Sequence, residues 1–179
     1  TNYKYTLATG FQVSQPRGLI AEGLFKDYDD IRNSAKQTWG DVMPGDIKYR
    51  DVNGDGIVND KDYVPIGATN RPNLIYGFGF SAQWKGFDVN VLFQGAGKST
   101  FFIDGYTVYP FKDGDWGNIL TDVVKSNRWI LGENEDPNAK YPRLSYGGNN
   151  NNYQSSTYWM RNGSYLRLKN LEVGYTIPK

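Results

Sequence analysis

The feature that most constrains the fold is a strict alternation of side-chain character between residues 74 and 94. Apolar residues, most of them aromatic, occupy every second position, and small or polar residues occupy most of the positions between them. Lys85-Gly86 interrupts this alternation after eleven residues. Successive side chains of a strand point to opposite faces, and two residues suffice for a tight turn. The sequence therefore predicts a long β-hairpin with one apolar face. The residues of that face are Tyr76, Phe78, Phe80, Ala82, Trp84, Phe87, Val89, Val91 and Phe93.

Two environments suit such a hairpin. Strands at about 74–84 and 87–95 have the length of tilted strands that cross a bilayer, and their aromatic residues lie toward the ends, as in interfacial girdles. A soluble sandwich or barrel with one buried face shows the same alternation. The pattern alone leaves both interpretations open.

The spacing of the remaining strands favours the membrane. Weaker strands are predicted at about 1–9 and 165–177, the latter with a bulge at Lys169-Asn170, where the parity of the apolar residues slips. They leave two long connections, about 10–73 and 95–163. Most connections in compact soluble domains have only about 4–6 residues, whereas outer-membrane barrels combine short turns on one side with long loops on the other.

The second connection contains two further signals. Residues 119–129 place Ile119, Leu120, Val123 and Val124 on one helical face, which predicts one short helix. Residues 147–152 form a run of Gly and Asn, which predicts an exposed loop tip.

Composition excludes several classes of function. The chain has no His and no Cys, so it lacks a Ser-His-Asp triad, thiol catalysis, disulfides and most transition-metal sites. A formal net charge of +1 argues against a nucleic-acid partner, because phosphate neutralisation needs clustered Lys and Arg. Acidic residues cluster in the predicted loops, where solvated side chains are the usual interpretation, and proximity in sequence does not place two carboxyls across a cleft. We therefore predict no enzymatic activity and no catalytic residue, with an acid/base hydrolase as a remote third interpretation.

The loop aromatics could stack on sugar rings, line a protein interface or close a small core within the loops. These residues are Tyr106, Tyr109, Phe111, Trp116, Tyr153, Tyr158 and Trp159.

The most specific local motif runs from Asp51 to Asp62. Oxygen-bearing side chains occupy positions 1, 3, 5, 9 and 12 of this segment, glycine at position 6 permits a sharp turn, and position 7 offers a backbone carbonyl. This spacing predicts a structural calcium site, closer to the dockerin type of loop than to a paired helix-loop-helix sensor. An Asx-rich turn without metal is the alternative. The predicted ligands are Asp51, Asn53, Asp55, Ile57, Asn59 and Asp62.

Several short sequence motifs, spread over nearly the whole chain, are more specific together and in this order than any one of them alone. They are Gly23-Leu24-Phe25, Pro44-Gly45-Asp46, DVNGDG from Asp51, Ile66-Gly67, Arg71-Pro72, Asn127-Arg128-Trp129, Tyr141-Pro142-Arg143-Leu144, YLRLKNL from Tyr165 and GYTIP from Gly174. In this order they resemble the C-terminal third of SusC/RagA-type TonB-dependent outer-membrane transporters of the Bacteroidetes.

The resemblance implies an all-β fold in which residues 1–179 belong to one large transmembrane β-barrel of about 22 antiparallel strands. The chain would supply about four strands, two long extracellular loops and one short helix. The plug and the TonB-contacting part would lie N-terminal to it.

The resemblance also implies a function and partners. The function would be TonB-energised import of glycans or oligopeptides across the cell outer membrane, with a SusD-like surface lipoprotein as partner and with the apolar hairpin residues facing outer-membrane lipid. The alternative is a soluble, calcium-stabilised cell-surface β-domain that binds carbohydrate on its loop aromatics.

Overall fold

The computed structural model describes residues 3–7, 9–105, 108–112, 119–125 and 127–178. The chain divides into two compact units. We call Thr1–Gly67 with Phe102–Met160 the loop unit, and Ala68–Phe101 with Arg161–Lys179 the sheet unit. In the part of the chain that the structure describes, no helix is long and apolar enough to cross a bilayer.

Strands dominate the regular structure. In chain order the elements are β1 (Arg17–Gly18), β2 (Ala21–Leu24), α1 (Tyr28–Arg32), β3 (Lys36–Gln37), β4 (Ile47–Tyr49), β5 (Ile57–Val58), β6 (Val64–Pro65), β7 (Leu74–Trp84), β8 (Phe87–Gly97), β9 (Thr100–Phe102), α2 (Thr121–Lys125), β10 (Met160–Asn162) and β11 (Tyr165–Tyr175). Two short 3-10 helices cover Lys4–Thr6 and Asp60–Asp62. The prediction of an all-β chain is thus confirmed, and in the described residues α1 adds a second short α-helix to the one that was predicted.

The sheet unit is an antiparallel meander with strand order β11-β8-β7. The hairpin predicted from the alternation is present, and β7 and β8 pair along their whole length from Leu74 opposite Gly97 to Trp84 opposite Phe87. Lys85 and Gly86 form its turn with φ values of 47° and 86°. Two positive φ values match the twist of the flanking strands. Glycine adopts its value without strain, whereas Lys85 adopts a left-handed conformation that residues with a Cβ usually avoid.

Strand β11 pairs with β8 from Tyr165 opposite Ala96 to Tyr175 opposite Phe87. The register shifts between Leu168 and Asn170, which confirms the predicted bulge. The chain therefore enters β7, leaves β8 and returns into β11 at one end of the sheet, while the tight turn lies at the other. The two-residue β7–β8 turn and the long β8–β11 connection thus lie at opposite ends of the sheet.

The predicted first strand at about 1–9 is wrong for the residues that the structure describes there. Lys4–Thr6 form a 3-10 turn, closed by hydrogen bonds from Thr6 N and Thr6 Oγ1 to the Tyr3 carbonyl. A local hydroxyl-to-carbonyl bond competes with strand pairing, which the alternation of three apolar residues could not reveal. Among the described residues, the long antiparallel sheet has three strands, β7, β8 and β11, instead of about four.

The loop unit folds around its own core. Short strand pairs β1–β6, β2–β4 and β3–β5 tie its segments together, and α2 lies within the stretch predicted to be helical, with Val123 fully buried. The connections predicted as loops therefore form a packed unit. Its core consists of Leu19, Leu24, Ile47, Tyr49, Val58, Tyr109, Val123, Trp129, Ala139, Tyr141 and Trp159.

Candidate functional site

The three strands of the sheet unit place their apolar side chains on one face, which we call the apolar face. Phe78, Phe93 and Leu168 stand in one cross-strand row, and the bulge restores the parity that brings Leu171 opposite Val91. The bulge is therefore what keeps the leucines of β11 on the same side. The members are Tyr76, Phe78, Phe80, Ala82, Trp84, Phe87, Val89, Val91, Phe93, Leu166, Leu168, Leu171, Val173 and Tyr175.

This apolar face is exposed. Phe80 is 59% exposed, Trp84 70% and Val173 68%, whereas Val91 on the central strand is 8% exposed. Phe78 stacks on Phe93 with ring centroids 5.3 Å apart. Contiguous apolar surface of this kind is rare on soluble monomers and marks contact with lipid or with another protein.

The opposite face of the same strands is mostly small or polar. Ser81 donates to Asn90 (3.1 Å), and Asn90 donates to Glu172 (3.4 Å), which makes a polar row across all three strands. Arg167 donates to Gln94 at 3.3 Å. Alternation between an apolar and a polar face is the pattern of transmembrane barrel strands.

Aromatic side chains gather at both ends of the apolar face. Near the turn, the Phe87 and Tyr175 rings lie 4.5 Å apart, and the Lys85 ammonium lies 4.8 Å from the centre of the Trp84 ring. At the other end Tyr76 covers Gly95, so closely that a Cβ there would lie 2.2 Å from the ring. Aromatic girdles with adjacent cations are typical of membrane interfaces.

The predicted calcium loop is a network of side-chain to backbone hydrogen bonds. Asp51 accepts from the N–H groups of Gly54 and Gly56, both at 2.7 Å. Asn53 accepts from Asp55 N at 2.8 Å, and Asp55 accepts from Ile57 N at 3.0 Å. Gly56 has a φ of +83°, as the sharp turn at position 6 requires.

The end of this loop is closed by Asp62. Its buried carboxylate accepts from Val52 N (2.9 Å) and Asn59 N (2.8 Å), and Asn59 in turn accepts from Lys61 N. These bonds bring the first and last predicted ligands into one folded turn. Over the described ranges, however, no group of three or more acidic side chains is placed to hold a metal ion.

The loop therefore has the donor atoms of a calcium site and the hydrogen bonds of an Asx turn. A carboxylate has about four lone-pair sites, so accepting two N–H groups leaves sites available to a cation. Hard oxygen donors are the ligands that Ca²⁺ prefers.

Sequence reasoning missed a buried polar network in the loop unit. The fully buried Asp46 accepts hydrogen bonds from Asn149 and Asn152, both at 2.9 Å, and from Met43 N at 2.8 Å. It also forms an ion pair with Arg143, whose Nε lies 2.7 Å from Asp46 Oδ1. Asp46 and Arg143 lie in blocks that carry the family resemblance, which was the available signal.

The prediction that residues 147–152 form an exposed tip is wrong for Asn151 and Asn152, which are 0% and 2% exposed. Asn151 donates to the Ile47 carbonyl (2.9 Å) and accepts from Gln37 (2.6 Å). Asn152 accepts from Ile47 N at 2.9 Å. Amide side chains thus satisfy the buried backbone of β4, a role that a composition-based interpretation of Asn cannot detect.

The loop aromatics mostly close this core. Tyr109 stacks on Tyr153 with centroids 4.4 Å apart and meets the buried Trp159 edge-on at 5.3 Å. Burial, together with the negative charge of Asp104, raises the pKa of Tyr109 to about 12. Tyr106 and Trp116 lie outside the described residues.

No family profile matches the chain. Two curated proteins, both from Formosa agariphila, are similar to the chain in sequence. TonB-dependent receptor P26 is 29% identical over 172 residues, which is 96% of this chain and 16% of the relative. TonB-dependent receptor P3 is 29% identical over 140 residues, which is 78% of this chain and 13% of the relative. The chain thus spans about a sixth of the length of these relatives.

Solved structures show the same fold. The RagAB peptide importer in its open-open state matches with a TM-score of 0.55 and 18% identity, over 97% of this chain and 18% of that one. The closed-closed state gives a TM-score of 0.56 and 21% identity, over 90% and 16%. Sequence blocks, curated relatives and fold thus agree: the chain is similar in sequence to a segment of TonB-dependent receptors, and it shares the fold of the matching part of the RagAB importer.

Proposed function

We propose that the protein to which this chain belongs imports nutrients across the outer membrane with energy delivered through TonB. In this proposal the sheet unit is part of the barrel wall, and the loop unit comprises two extracellular loops. The cargo is a glycan or an oligopeptide, and a SusD-like surface lipoprotein and the TonB complex are the partners. The chain itself carries out no bond-making chemistry.

The apolar face of the sheet unit carries this proposal. It presents fourteen residues from three strands of eleven residues each, the length that spans a bilayer when strands are tilted. Its polar reverse side, terminal aromatics and segregated short and long connections are all features of outer-membrane barrels. The outer-membrane lipid is therefore the proposed neighbour of this face.

The outer edges of β7 and β11 fit the same proposal. Within the described residues, neither strand pairs with a further strand on its outer side. Lipid tolerates no open sheet edge, because unpaired N–H and C=O groups cost several kcal/mol each there. We propose that neighbouring strands of a barrel of about 22 strands cover both edges.

The soluble alternative receives less support. A soluble cell-surface domain would need to cover the apolar face with a second sheet or a helix. Phe78, Phe80 and Leu171 are instead 54%, 59% and 56% exposed.

We also propose that residues 51–62 bind one structural Ca²⁺. The ligands would be the side chains of Asp51, Asn53, Asp55, Asn59 and Asp62 with the carbonyl of Ile57. Support comes from the donor set and from the bonds that already fold this segment into one turn. Calcium would hold the carboxylates together against their mutual repulsion and so stabilise a long loop.

The import proposal is tested in cells that carry the full-length gene. We expect the protein in the outer-membrane fraction, extractable only with detergent, and uptake of its cargo that stops when TonB is deleted. A gene product that stays soluble without detergent, or uptake that continues without TonB, contradicts the proposal.

A further inference from the structure

A polar cleft opens at the surface of the loop unit. Its volume of about 460 Å³ lies within the range of roughly 300–1,000 Å³ that is usual for small-ligand sites. The side chains that matter below are Trp39, Asp41, Arg143, Tyr146, Asn149 and Asn150. They come from two parts of the chain that are about a hundred residues apart, so no local sequence motif predicts the cleft.

Two aromatic rings line the cleft. Trp39 is held edge-on by Tyr49 (6.2 Å between centroids) and Tyr63 (6.4 Å), which limits its movement. Tyr146 is 71% exposed. The electron-rich face of an aromatic ring attracts the polarised C–H groups of a sugar ring, and rigid aromatics contribute contact area at a low entropy cost.

The floor of the cleft is held by the buried Asp46. Its carboxylate binds both Arg143 and Asn149, so these two side chains meet the cleft in a preset orientation. The positive charge of Arg143 is already balanced by this pair. Preorganised polar groups lower the cost of binding, because they need no ordering when the ligand arrives.

Two further polar side chains of the cleft are available to a ligand. Neither Asp41 nor Asn150 donates or accepts a side-chain hydrogen bond with another residue in the described part of the chain. A carboxylate accepts from hydroxyl groups, and an amide both donates and accepts. Adjacent hydroxyls of a sugar offer the complementary donors and acceptors.

We propose that this cleft binds a short neutral saccharide. Asp41 adds a negative charge, and among the described lining residues the one cation, Arg143, is already paired with Asp46, which disfavours sulfated or carboxylated sugars and acidic peptides. The lining is more polar than apolar, so it offers little to the apolar side chains of a peptide. The assignment rests on the import proposal and deepens it, since it selects glycan over peptide as cargo.

The test uses the purified full-length receptor in detergent and isothermal titration calorimetry. The probes are neutral hexasaccharides of glucose, xylose, mannose and galactose, sulfated and uronic-acid hexasaccharides, and a mixed hexapeptide pool. We expect at least one neutral probe to bind, and Tyr146→Ala and Asp41→Ala each to weaken its binding tenfold or more. Tyr28→Ala is the matched control, because Tyr28 is 54% exposed and lies outside the cleft; its effect should stay within twofold.

Three results overturn the assignment: binding of charged probes or peptides alone, binding of no probe, or neutral-sugar binding that both cleft substitutions leave unchanged. These results are separable from failure of the import proposal. TonB-dependent uptake of peptides would remove the saccharide assignment and leave import intact. A receptor absent from the outer membrane would remove import itself.

Discussion

Asp46 and Arg143 lie 97 positions apart in the sequence and form a two-point ion pair, with Arg143 Nε 2.7 Å from one carboxylate oxygen and its terminal nitrogen 3.0 Å from the other. Asp46 is fully buried, whereas the Arg143 side chain is 20% exposed. The pair fastens the segment before β4 to the segment after Tyr141. It links the first long connection of the chain to the second.

Replacing Asp46 with Ala should destabilise the loop unit by about 3 kcal/mol, because it leaves Arg143 unpaired and two amides without their acceptor. Limited proteolysis of the full-length receptor, followed by mass spectrometry, measures this as faster cleavage within residues 41–50 and 143–152. Asp29→Asn is the control, since Asp29 and its partner Arg32 are 78% and 68% exposed and such pairs contribute little. Equal cleavage rates for both variants would contradict the assignment.

Phe78→Arg should cost about 2–4 kcal/mol in the folding of the full-length receptor into lipid vesicles, because Phe78 lies near the middle of β7 on the apolar face. Ser81→Arg, on the polar face of the same strand, should cost much less. Denaturant titration monitored by fluorescence measures both. If the two substitutions cost the same, the apolar face does not contact lipid.

Calcium should protect residues 51–62. Adding Ca²⁺ to metal-free receptor should slow proteolysis of this segment, and chelation should restore the faster rate. Asp51→Asn should abolish the response, while the exposed Asp29→Asn should preserve it. If neither calcium nor the chelator changes the rate of proteolysis, the segment is an Asx turn without metal.

Gly86→Ala should destabilise the hairpin by about 1–2 kcal/mol, because its φ of +86° strains any residue with a Cβ. The added carbon would also meet the Thr176 carbonyl at 2.9 Å. Lys85→Asn should leave the stability unchanged or raise it, since Asn tolerates a positive φ. Thermal unfolding of the full-length receptor compares the two variants.

Much of the sheet unit was predictable from local patterns. The alternation predicts that Phe78 and Phe93 share one face, because each belongs to the apolar set of alternate residues in its own strand. The shift of that alternation at Lys169-Asn170 predicts the bulge. The predicted strand at about 1–9 failed because so short an alternation does not exclude a 3-10 turn. The predicted calcium ligands do form one turn, but their coordination of a metal stays a prediction.

The sequence by itself determined the hairpin, its turn and the apolar face, because a period of two places each side chain without knowledge of distant residues. Only the tertiary structure decided that Asn151 and Asn152 are buried, that Asp46 meets Arg143, and that Trp39 and Tyr146 line one cleft. These contacts join residues about a hundred positions apart. A polar side chain is equally compatible with solvent and with a buried hydrogen bond until its partner is known.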